Sequence, residues 1–220
     1  MDLNGDGRTD IVSGSWPGQI YWFQRKANGS YAAAEMIKRY GTNLYVGSAA
    51  APAVADWDGD GDLDLLIGTI DGFVHYLKNE GGKSAYVFKA AEKLKAGDNI
   101  IKTASGDAGP CVADWDGDGK LDLLLGIGAG GVQWCRRLAT DKLDSPQTLV
   151  AAPEREASKK SFDNPKAPGT RTKVCVADWN GDGKQDLLVG DFWVGTSART
   201  CHGWVWVYLR ESSATAAVGK

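Results

Sequence analysis

The chain has 220 residues, with 25 Lys and Arg against 28 Asp and Glu and a formal net charge of −3. That length suits one domain with a real core. No apolar stretch approaches a membrane span, and the start carries no signal-peptide pattern. The polar stretch at 154–173 has few basic residues and no aromatic platform interleaved with them, which argues against nucleic acid as a partner.

In chain order, the first feature is DLNGDGRTD at 2–10, running into IVSG, then QIYWFQR (19–25) and SYAAAEMI (30–37). A second unit follows: PAVADW (52–57), DWDGDGDLD (56–64), LLIG, FVHYLK (73–78) and AYVFKAA (85–91). The third is PCVADW (110–115), DWDGDGKLD (114–122), LLLG, GVQWCRR (131–137) and QTLVAAP (147–153). The fourth is KVCVADW (173–179), DWNGDGKQD (178–186), LLVG, a long connection at 191–202, and WVWVYLR (204–210). The runs read as short strands separated by turn residues. Residues 1–212 therefore form one repeat domain, and 213–220 reads as a flexible tail.

All four loops share D-x-[DN]-x-D-G-x-x-D. Positions one, three and five supply side-chain oxygens: Asp2, Asn4 and Asp6; Asp56, Asp58 and Asp60; Asp114, Asp116 and Asp118; Asp178, Asn180 and Asp182. Position seven (Arg8, Asp62, Lys120, Lys184) offers a backbone carbonyl, and position nine (Asp10, Asp64, Asp122, Asp186) closes the cage. Calcium takes six to eight oxygens at flexible geometry, so up to four Ca²⁺ are expected. An EF-hand would need an acid at position twelve, where Ser13, Ile67, Leu125 and Val189 stand. Half of the acids sit in these cages, so bound ions would relieve concentrated self-repulsion and stabilise the fold. Asp2 follows Met1 directly, so the first site is expected to be weak or empty. A start inside a repeat suggests a piece of a longer protein.

Loop starts at 2, 56, 114 and 178 mark a long repeat of several short strands, which points to a radial or solenoid architecture. The fold expected is all-β: a β-propeller of four-stranded antiparallel blades, about three and a half to four in this chain, closed or part of a larger ring. On these loops and strands the chain resembles the FG-GAP/VCBS-repeat β-propeller family, also found in integrin α-subunit heads. The resemblance implies calcium at the four loops, an extracellular or periplasmic setting, and a binding role.

Strand alternation puts the remaining loops on the face opposite the cages. Trp16, Asp71, Asp191, Trp193 and His202 are the candidates there for contacting a carbohydrate or an extracellular protein. Trp57, Trp115 and Trp179 are expected to pack under the loops, and Trp22, Tyr76, Trp134 and Tyr208 to share one core position in the third strand. Cys111 and Cys175 read as small buried residues, and a Cys135–Cys201 bridge is open. No catalytic motif stands out, so recognition is favoured over catalysis. The alternative is a polysaccharide lyase working on the face opposite the cages.

Overall fold

A computed structural model describes residues 1–82, 85–153, 168–194 and 201–211. It contains no α-helix among these residues and builds four consecutive blades. Blade one pairs Ile11–Gly14, Ile20–Phe23 and Glu35–Met36. Blade two orders Ala51–Ala55, Asp64–Gly68, Val74–Leu77 and Glu92–Lys93. Blade three orders Gly109–Ala113, Asp122–Gly126, Val132–Cys135 and Gln147–Val150. Blade four pairs Thr170–Ala177 and Val205–Tyr208 on either side of Asp186–Val194, whose far end also takes Cys201–His202. Every pairing is antiparallel.

The apolar runs after each loop do not alternate with polar residues because both strand faces are covered. In blade two, Leu65 and Ile67 pack towards blade one with Ile20 and Ile37. Leu66 and Val74 turn the other way, onto Leu123, Leu125 and Cys135 of blade three. Leu124 and Val132 then pack on Val174, Leu187 and Val189 of blade four. Each core is thus a junction between neighbouring blades.

The glycine that ends each second strand lets blades approach closely. A Cβ on Gly14, Gly68 or Gly126 would collide with the carbonyl oxygen of Ala50, Ala108 or Thr172 of the next blade. Gly190, in blade four, would meet nothing nearer than 3.9 Å.

Three expectations change, and the open question of a disulfide is answered. The residue opposite the middle of the second strand is Trp22, Tyr76, Trp134 and then Val207, not Tyr208. Val205 pairs with Gly190, so the aromatics Trp206 and Tyr208 fall on the alternate face, towards blade three. In blade two the fourth strand is Glu92–Lys93, and the 85–91 segment contributes buried Phe88 through a single bridge to Asn79. Cys135 is buried and Cys201 exposed, and both are free thiols, so the bridge does not form. Cys175 is exposed because its face of blade four has no covering blade among the described residues. The tail at 213–220 lies outside the described residues, as does most of the 154–173 stretch.

Gly126→Ala is expected to destabilise the chain by about 1–3 kcal/mol, the usual cost of overpacking, while Gly190→Ala stays within about 0.5 kcal/mol. Urea unfolding of the two variants checks this contrast.

Candidate metal centre and the opposite face

The four loops fold alike. In each, the glycine amide at position six donates to the position-one carboxylate: Gly7 to Asp2 at 2.7 Å, Gly61 to Asp56 at 3.0 Å, Gly119 to Asp114 and Gly183 to Asp178 at 2.9 Å. The position-five amide donates to Asn4, Asp58, Asp116 or Asn180. The position-seven amide donates to Asp6, Asp60, Asp118 or Asp182. These bonds curl the chain so that side-chain oxygens point inward. Glycine is required at position six, where φ is +82° at Gly7 and +93° at Gly61. The first loop shares the whole pattern despite its place beside Met1.

In the loops with three acids, Asp56, Asp58 and Asp60 bring carboxylate oxygens within 4.8 Å of one another, as do Asp114, Asp116 and Asp118. This all-oxygen donor set fits a hard cation such as Ca²⁺. The clusters already attract the chain's own cations. Lys78 bridges Asp58 and Asp60. Arg136 reaches Asp116 at 2.5 Å and Asp118 at 3.1 Å. The position-seven side chains Arg8, Lys120 and Lys184 fold back onto Asp6, Asp118 and Asp182. Lys78 holds the Asp60 carboxyl below its ordinary value, and Lys120 does the same for Asp118. Repulsion among these acids is therefore partly relieved from within.

The position-nine aspartates sit deeper. Asp64, Asp122 and Asp186 are fully buried and Asp10 nearly so. One carboxylate oxygen accepts the position-two amide: Leu3, Trp57, Trp115 or Trp179. The other accepts the amide just beyond the third strand: Arg25, Asn79, Arg137 or Arg210. The Trp22 indole adds a third bond to Asp10, and the Tyr76 hydroxyl one to Asp64. Burial pushes the Asp64 carboxyl up, against the pull of the Asn79 amide and Tyr76. A carboxylate has about four acceptor sites, so each of these groups keeps capacity for a cation while tying three strands together.

On the opposite face, the inter-strand loops form a hydrogen-bonded belt. Ala49 donates to Trp16, Ile70 to Ser48, Asp107 to Ile70, Gly128 to Gly106 and Arg171 to Gly128. Trp16 is 65% exposed, and the Arg171 guanidinium lies 5.8 Å from its ring and 5.9 Å from that of Phe192. Buried Asp107 holds Arg171 at 3.0 Å and Lys173 at 2.9 Å. Asp71 is exposed and accepts the Thr69 hydroxyl.

Asp191 and Trp193 do other work. Asp191 accepts the Trp204 and Gly169 amides and the Trp193 and Trp206 indoles, at 2.7–2.9 Å. Its carboxylate is spent on joining strands, and Trp193 beside it is buried. His202 is exposed on the edge hairpin opposite Trp193. Sequence reading missed Arg171, Asp107 and Phe192, whose meeting with Trp16 depends on blade packing rather than on any local motif.

Asp122→Ala is expected to destabilise the chain by at least about 2 kcal/mol even in EDTA, because two buried amides lose their acceptor. Asp116→Asn should leave stability in EDTA within about 0.5 kcal/mol and reduce the gain on adding calcium. Melting curves with and without Ca²⁺ separate the two roles.

Cartilage acidic protein 1 of Mus musculus is 30% identical over 141 residues, covering 60% of this chain and 20% of that protein. The Xenopus tropicalis protein of the same name is 28% identical over 142 residues. The matched region thus spans about a fifth of these relatives. A lectin of Agrocybe aegerita, whose structure describes specific recognition of non-reducing terminal N-acetylglucosamine, matches with a TM-score of 0.50 at 20% identity. It covers 87% of this chain and 47% of the lectin chain. A Photorhabdus luminescens Tc holotoxin pore matches with the same TM-score at 19% identity, over 93% of this chain and 8% of that one. Both structures share the fold. The FG-GAP-like repeat matches residues 2–67 and 56–125, over half of the chain, and with the four-blade arrangement it shows that this chain belongs to the FG-GAP-like repeat family.

Proposed function

We propose that the chain is a calcium-stapled recognition module acting outside the cytoplasm, and that it binds a carbohydrate on the loop face that carries Trp16, Arg171 and Asp71. The observation carrying this reading is the exposed Trp16 ring beside a guanidinium fixed by a buried carboxylate. An aromatic face stacks on a sugar ring, and Arg171 and Asp71 supply a donor and an acceptor for its hydroxyls.

Backbone strain supports the same place. Ala49, Ser105, Asp107 and Arg171 all have φ between +52° and +60°, and all lie in or beside the belt. Such conformations cost free energy in non-glycine residues and cluster at functional sites. The similarity to a lectin is consistent with the reading. Among the described residues, no helix is long and apolar enough to cross a membrane. On that face the Asp191 carboxylate already accepts from four donors, which leaves the sugar-contacting role to Trp16, Arg171 and Asp71.

Calcium, when bound, would supply positive charge to the oxygen cages and lock the loops. Asp2, Asn4 and Asp6 would hold it in the first, with Asp56, Asp58 and Asp60, then Asp114, Asp116 and Asp118, then Asp178, Asn180 and Asp182 in the others. One site at a hundredfold excess of ligand over Kd contributes about 2.7 kcal/mol, so chelation should lower the melting temperature by roughly 5 °C or more. Binding to a glycan array in calcium is expected to fall at least about tenfold on Trp16→Ala, with the melting temperature unchanged. Equal binding by that variant, or no glycan bound at all, contradicts the proposed site.

A further inference from the structure

The blade junctions obey a pairing rule in side chains. Position two of each loop meets the residue just beyond the third strand of the next blade. Leu3, almost fully buried, shares the first junction groove with Asn79. Trp57 lies beneath Arg137, whose guanidinium is 3.6 Å from its ring. Trp115 lies beneath Arg210 at 4.7 Å, and Arg210 also donates to the Trp115 carbonyl oxygen at 2.5 Å. Leu meets Asn at the first junction, and Trp meets Arg at the next two.

Two residues at these positions have no counterpart among the described residues. Trp179, at position two of the fourth loop, is 61% exposed, against 6% for Trp57 and 9% for Trp115. Arg25, beyond the third strand of blade one, is exposed at the opposite end of the arc, its guanidinium 6.0 Å from the Tyr31 ring. They are the two chemical halves of the same pair.

The surfaces around them are uncovered in the same way. Val205 is 72% exposed where its register counterpart Val132 is fully buried. Val207 and Leu209 extend this apolar face. Gly190 has open space where Gly126 has the backbone of the next blade. In blade one, Ile11 is 43% exposed where Leu65 and Leu123 are fully buried.

We propose that the exposed face of blade four docks on blade one of a second copy, with Arg25 of one copy lying over Trp179 of the other. Complementarity selects this occupant, because blade one carries the cation that the Trp179 face lacks. The contact is head-to-tail, so its repetition gives a closed ring or a chain of copies.

Sedimentation velocity of the whole chain in calcium, up to about 100 µM, tests this. The particle is expected to exceed the 23.4 kDa of one chain. Trp179→Ala and Arg25→Ala should each sediment as monomers and melt at the temperature of the wild-type chain diluted until it is monomeric, since both side chains are exposed. An equimolar mixture of the two variants should form a two-chain particle, because one supplies Arg25 and the other Trp179. Val205→Glu should also dissociate the assembly. A wild-type chain that stays monomeric overturns the proposal. So does association that survives these substitutions, or a mixture that fails to pair.

Discussion

The buried aspartate at position nine holds each loop and its blade in one arrangement. Its two carboxylate oxygens collect amides from the head of the loop and from the end of the third strand. A group so buried is tolerable only when hydrogen-bonded, and here the bonds are local backbone amides that the repeat always supplies. The carboxylate thereby fixes the loop over its own blade. It also sets the residue that reaches across to the preceding blade, as Arg137 does over Trp57. Loop geometry and blade packing are two consequences of one side chain.

Much of this was legible in the sequence. The loop spacing gave four cages, and the same bonds appear in all four. The apolar LLxG runs implied strands buried on both faces, as Leu65 and Leu66 are, packing onto opposite neighbours. Even Ser13, which breaks the run in blade one, lies on the face that has no neighbour. The misplaced residues belong to quantities that local pattern does not encode. Tyr208 was put one register off because the length of the hairpin before it decides which face it takes. Cys175 was expected to be buried, but its burial needs a further blade.

Long-range convergence was hidden for a similar reason. Trp16 stood out as an aromatic in a turn, yet Arg171 and Asp107 lie in other blades and carry no motif. Asp191 and Trp193 looked like a sugar-binding pair. They instead form an internal hub, in which one carboxylate satisfies two indoles and two amides. A carboxylate beside a tryptophan has the same composition in either role. Only the count of donors separates them.

The oxygen cages are also less dependent on an ion than their charge alone implies. Lys78 and Arg136 already lean on the second and third clusters, so a metal would compete with the chain's own cations there. Diffraction from crystals grown in millimolar calcium, recorded for anomalous signal, decides whether the cages hold the ion. One strong peak is expected within each loop, flanked by the oxygens of positions one, three and five. Loops of the same shape filled by water or by lysine and arginine alone would contradict this expectation.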